Sequence, residues 1–129
     1  MVPLFFLFLL KPTDTTGVAS YYHNKFVGRK TATGEKFSQS KLTAASNFYD
    51  LGTKLKVTNL ENDSSIIVRV NDRMGNRKRV IDLTRTGAKK LGFLKQGITQ
   101  VKLEIVNEDI TISKSQWFNV SVFRMGFPL

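Results

Sequence analysis

The sequence predicts a mainly β fold, a small closed barrel of about six short strands with one short helix. Three observations carry this. Lys54-Leu-Lys-Val-Thr58 and Thr99 to Val106 alternate polar and apolar residues, the two-residue period of a half-buried strand. Turn signals at Thr33-Gly34, Leu51-Gly52 and Asn62-Asp63 cut the chain at short intervals. Helical character is confined to Thr84 to Leu91, between the last two core strands, an order that fits a closed barrel better than a sandwich.

Taken in order, Met1 to Leu10 is nearly all apolar and ends at Lys11-Pro12. A bilayer crossing needs roughly 20 apolar residues, so this run is too short for one. Its length suits the apolar core of a secretory signal that lacks its basic start; the alternative is an N-terminal strand or helix of the fold. Residues 1–16 are therefore expected to be a truncated signal segment and linker, 17–106 the barrel, and 107–129 a C-terminal extension. Val18 to Tyr22 reads as the first strand, Lys25 to Phe37 as a long loop, Ser38 to Lys41 as one helical turn, and Leu42 to Ala45 as a short buried strand. In Lys54 to Thr58 the alternation puts Leu55 and Val57 inside, and Asn59 to Ser64 is a hairpin turn into the next strand. Thr84 is the expected N-cap of the helix and Gly92 its C-terminal stop. In the last core strand Val101, Leu103 and Ile105 are expected to face inward. Ile110 to Phe123 holds two more alternating runs around Trp117-Phe118.

The chain has 129 residues, 41% of them hydrophobic and 23% charged, which bounds it to one folded domain with a modest core. It contains no cysteine, which excludes disulfides, thiolate metal sites and a cysteine nucleophile. A formal charge of +10 implies attraction to a polyanion, with nucleic acid, anionic lipid and acidic cell-wall polymer all qualifying. There is no interleaved aromatic and basic strand motif of the RNA-binding kind, so nucleic acid is not the expected partner.

The chemistry centres on Ile66 to Leu83, two short strands around a basic, glycine-containing turn with an aspartate closing each strand. Ile66, Val68 and Val70 share a face that Asp72 continues at the rim of the core, while Arg69 and Asn71 point the other way. Desolvation at such a rim can raise a carboxyl pKa toward acid/base use. The plainer alternative is an aspartate that binds turn amides. Asp82, closing the second strand, is expected to pair with the basic cluster or to support the helix start.

From Gly17 to Val106 the chain resembles the rare lipoprotein A (RlpA) family. The ordered matches are Gly17-Val-Ala-Ser-Tyr-Tyr22, Phe26-Val-Gly-Arg29, Thr31-Ala-Thr-Gly-Glu35, Leu42-Thr-Ala-Ala45, Leu51-Gly-Thr53, Val57-Thr-Asn59, Val68-Arg-Val-Asn-Asp-Arg73, Val80-Ile-Asp-Leu83 and Ala88-Lys-Lys-Leu-Gly92. The resemblance implies a six-stranded double-psi β-barrel and a lytic transglycosylase that cuts peptidoglycan glycan strands freed of their stem peptides. The family's functional glutamate falls on Glu35 and its aspartate on Asp72, while its histidine position holds Ser46.

Such an enzyme protonates the leaving glycosidic oxygen and lets the muramic acid C6 hydroxyl attack C1, so no water is consumed. Asp72 is the expected acid/base group, with Glu35 assisting as an electrostatic stabiliser or second acid/base. A serine cannot titrate near neutral pH as histidine does, so Ser46 leaves two readings open. One is an active endolytic transglycosylase in which the serine hydroxyl partly replaces the histidine. The other is a non-catalytic, expansin-like glycan-binding barrel. Tyr21 and Tyr22 are expected to give one ring to the core and one to a sugar face. Arg73, with Arg77, Lys78 and Arg79 in the densest basic run, and Arg29 are candidates to hold lactyl carboxylates; a solvated turn is the alternative. His23, the one histidine, is expected at the surface. No cofactor or metal is expected. The expected partners are peptidoglycan glycan and division-site proteins, for a monomer in the cell envelope, the periplasm or secreted.

Overall fold

In the computed structural model, residues 14–75 and 78–107 are described. The leading apolar run, Arg77 and the alternating runs around Trp117 lie outside the described residues. The strands are β1 (Thr15–Tyr21), β2 (Thr43–Ala45), β3 (Lys54–Asn59), β4 (Ser65–Asp72), β5 (Arg79–Leu83) and β6 (Thr99–Ile105), with a helix α1 (Arg85–Lys90) between the last two. They close into a barrel in the order β1-β5-β2-β4-β3-β6. β1 runs parallel to β5 and β2 parallel to β4; the other neighbours are antiparallel. The chain thus forms the expected six-stranded double-psi barrel.

Each strand's side-chain period sets its place in the wall. β3 alternates exposed and buried residues, with Leu55 and Val57 inside. The hairpin from β3 to β4 turns at Asp63, which sits in the left-handed region at φ 61°. Leu55, Val57, Val68, Val70, Ile81, Leu83, Val101 and Leu103 fill the interior from four strands. Ile105 does not join them. It is 48% exposed, because β6 has by then run past the interior that Val101 and Leu103 fill. The first strand starts earlier than the sequence pattern indicates, since Thr15 to Val18 pair with β6 along its other edge.

A six-residue helix has no independent stability in water. α1 persists because Gly87 and Ala88 are buried and both of its ends are tied. The Thr84 hydroxyl accepts from the Gly87 amide at 3.1 Å and donates to the Lys41 carbonyl at 2.6 Å. Gly92, at φ 76°, ends the helix as expected. Beneath it, buried Asn59 donates to the Leu91 carbonyl at 2.7 Å and accepts from the Thr99 hydroxyl at 2.8 Å. Both ends of that amide are therefore satisfied inside the core.

The strand that positions the site is the shortest. β4 and β5 are consecutive in sequence yet do not pair, because β2 lies between them. All three residues of β2 are buried, and Ala45 stands opposite Asp72 on one side and Asp82 on the other.

Candidate functional site

At the barrel mouth, Asp72 and Asp82 lie near the ends of β4 and β5 on either side of Ala45. With neighbouring strands about 4.8 Å apart, this register sets the two aspartate backbones about 10 Å from one another. The alanine methyl leaves the space between them open. The result is a cleft of about 480 Å³ whose lining includes Ser20, Tyr22, Asp72, Arg73, Arg79 and Asp82.

Asp72 is held by three neutral donors. Its Oδ1 accepts from the backbone amides of Ala32 at 3.0 Å and Arg73 at 2.9 Å, and its Oδ2 accepts from the Tyr22 hydroxyl at 2.8 Å. Oδ2, with Tyr22 as its one donor among the described residues, keeps acceptor capacity for a ligand. Burial, and then the Asp72 carboxylate beside it, push the Tyr22 phenol far above the usual tyrosine range. It therefore remains a proton donor to Asp72 throughout the neutral range. Asp72 thus both binds turn amides and faces a cleft.

Asp82 is bound differently. Ser20 donates to its Oδ1 at 2.6 Å, and Arg79 reaches Oδ1 and Oδ2 through Nε and a terminal nitrogen at 2.8 and 3.0 Å. This fork-to-carboxylate geometry fixes Asp82 and raises the Arg79 pKa. Sequence reasoning gives Asp82 a supporting role and misses that it shares the cleft. The signal is the common neighbour β2, which no local pattern reveals.

Glu35 and Ser46 do not converge on that cleft. The Glu35 carboxylate takes Arg69 in two hydrogen bonds at 2.7 and 3.1 Å, Asn71 at 3.0 Å and Thr33 at 3.2 Å. The Arg69 hydrogen bonds, then Asn71, draw its pKa from 4.5 down to about 2. Asp72 does not continue the Val68–Val70 face as the alternation predicts, because a register shift against β2 pairs Val70 with Ala44 but Asp72 with Ala45, turning Asp72 away from the core. The loop Thr31 to Glu35 links the two carboxylates, with its Glu35 side chain on Arg69 and Asn71 and its Ala32 amide on Asp72. Ser46 is fully buried. Its hydroxyl donates to the Val80 carbonyl at 2.9 Å and accepts from the Phe48 amide at 3.2 Å, so it is committed to the barrel wall.

The remaining expected residues divide. Tyr21 packs on the core against Phe93, its hydroxyl donating to the Leu94 carbonyl at 2.8 Å. Tyr22 stacks on Phe37 with ring centroids 4.2 Å apart, so its hydroxyl rather than a bare ring face is its clearest contribution. The Arg73 guanidinium donates to the carbonyls of Ser46 and Tyr49 and is engaged by that loop. Arg29 lies over the Phe26 ring, 5.5 Å from its centroid, and is not among the residues lining the Asp72 cleft. Lys25 and His23 stand at the cleft rim, and His23 caps the turn at Asn24–Phe26 by accepting from the Lys25 amide. Among the described residues no cluster of three or more acidic or histidine side chains has metal-binding geometry, and no helix is long and apolar enough to cross a membrane.

Comparison with known proteins gives this geometry a context. A family profile described as lytic transglycolase matches residues 14–103. An endolytic peptidoglycan transglycosylase RlpA of Haemophilus influenzae is 45% identical over 92 residues, covering 70% of this chain and 32% of that protein. The chain therefore spans about a third of the length of that curated relative. Among solved structures, the Streptomyces papain inhibitor superposes with a TM-score of 0.60 at 22% identity, covering 73% of this chain and 94% of the inhibitor. An expansin of Clavibacter michiganensis, solved as a point variant in complex with cellohexaose, gives 0.59 at 20% identity, covering 73% and 50%. At such identities these two likenesses establish the fold alone.

Proposed function

Because the chain belongs to the RlpA-type lytic transglycolase family of double-psi β-barrels, we propose that its cleft cuts peptide-free peptidoglycan glycan to 1,6-anhydromuramic acid ends, with Asp72 as the acid/base group. The observation that carries this reading is the Asp72 carboxylate at the mouth of an open cleft, oriented by Tyr22, Ala32 and Arg73. The Asp72 carboxyl delivers a proton to the leaving glycosidic oxygen as the bond to C1 breaks. The resulting carboxylate takes the proton of the muramic acid C6 hydroxyl as O6 bonds to C1. The acid is thereby restored to its starting state, and no water is used.

Within this reading Asp82, locked to Arg79 and Ser20, forms the opposite wall of the cleft from Asp72. Glu35 is a positioning residue, anchoring the loop that carries the Ala32 amide. Tyr22 orients Oδ2. Cleft-rim Lys25 is better placed than Arg29 or Arg73 to meet a lactyl carboxylate. A cell-envelope or secreted location, a monomeric state and division-site protein partners belong to the same proposal.

Purified protein incubated with peptide-free glycan strands is expected to release 1,6-anhydro termini detectable by mass spectrometry. Asp72→Asn lowers that rate by about 10²-fold or more. An unchanged rate in the variant would remove Asp72 from the chemistry. The second reading is a glycan-binding barrel without turnover. It is favoured by the Ser46 hydroxyl, which is buried and bonded to Val80. Binding of the same strands with no anhydro product would select it.

A further inference from the structure

Next to the Asp72 cleft, the loop after β2 carries a large apolar side chain in water. Phe48 is 57% exposed. It lines a second cleft of about 570 Å³ together with Asn47, Met74 and Gly75. Met74 and Gly75 also line the Asp72 cleft, so the two depressions are immediate neighbours.

This aromatic side chain is carried on a fixed support. The Asn47 side-chain amide donates to the Met74 carbonyl at 2.8 Å and accepts from the Met74 backbone amide at 3.1 Å. Arg73 holds the carbonyls of Ser46 and Tyr49 from below, and the Ser46 hydroxyl takes the Phe48 amide. The backbone from Ser46 to Tyr49 is thereby tied down while the Phe48 side chain faces solvent. Burying an exposed phenylalanine on a pre-organised loop contributes hydrophobic free energy with little ordering cost.

We infer that Phe48 and Met74 form an outer subsite for a glycan strand, taking the C–H face or acetamido methyl of a sugar beyond those at Asp72. The inference rests on the glycan reading above and adds where the strand runs. The shared lining of Met74 and Gly75 argues for the same strand as occupant, since a chain leaving the Asp72 cleft on that side meets Phe48 next. The chemistry agrees, because the Asn47 amide is already paired to backbone and leaves an apolar ledge rather than a hydrogen-bonding site. A pyranose ring offers such a ledge its axial hydrogens, and aromatic side chains supply broad contact area of this kind.

The test is binding of peptide-free glycan oligomers of graded length, by calorimetry, to wild type, Phe48→Ala and Phe48→Trp. Wild type is expected to bind more tightly as the oligomer lengthens. Phe48→Ala should lose about 3- to 10-fold on the longest oligomers and almost nothing on the shortest, with an unchanged thermal midpoint. Phe48→Trp should restore the length dependence. Equal losses at every length, or none at any, overturn the subsite while leaving the glycan reading intact. A wild type that binds none of the oligomers overturns both.

Discussion

At Glu35 the guanidinium of Arg69 and the amide of Asn71 outweigh desolvation and hold the carboxyl at about 2. The unfolded chain takes up a proton near 4.5, whereas the folded chain stays ionised down to about 2. The ion pair therefore contributes its full stability above about pH 4.5 and loses it as pH falls toward 2. Both partners are partly solvated, which limits the contribution to about 1 kcal/mol. Thermal unfolding of Glu35→Gln is expected to show that deficit at neutral pH, with the gap to wild type closing near pH 2. A gap that persists there would mean that the side chain stabilises by packing instead. Tyr22 has the opposite electrostatics: burial and a neighbouring anion keep its proton on, so Asp72 never loses that donor to titration in a working pH range.

At the level of strands, β1 passes very close to β5. A Cβ on Gly17 would collide with Cγ1 of Val80, inside any tolerable contact. Val80 cannot turn away freely, because it lies against the core and its carbonyl receives the Ser46 hydroxyl. Gly17→Ala is expected to cost about 1–3 kcal/mol, seen as a lower denaturant midpoint at unchanged slope. The strands themselves were legible, since two-residue alternation at Leu55-Val57 and Val101-Leu103 maps directly onto burial. So was α1, through Thr84 and Gly92. Ile105 is misread because alternation says which face a residue takes but not where the core ends. The pairing of the site was not legible either. Asp72 and Asp82 meet through Ala45, a contact set by barrel closure over long sequence distances. Glu35 lies in the correct motif, yet its direction depends on Arg69 and Asn71 across the loop. Only the family resemblance, and not periodicity, pointed to Glu35 and Asp72 together in advance.

Over the whole molecule, the net charge of +10 bears on encounter rather than on shape. The proposed ligand, peptide-free glycan, exposes lactyl carboxylates, so on that proposal association is expected to slow by several-fold as salt rises from about 50 to about 300 mM, because screening shortens the reach of the field. Stopped-flow or surface-binding rates would register it, with dissociation changing much less. A salt-insensitive on-rate would separate the charge from glycan capture. The same barrel is shared with a papain inhibitor and an expansin, so the fold by itself does not fix an activity. The barrel mouth depends on β2, a segment of three residues wedged between two longer strands. Were it to peel away, the β3–β4 hairpin could survive with most of its spectroscopic signature intact, while each aspartate was left on a separate ribbon. The proposed turnover would thus vanish before bulk denaturation is seen, which would make that output the finer gauge of whether the ring is sealed.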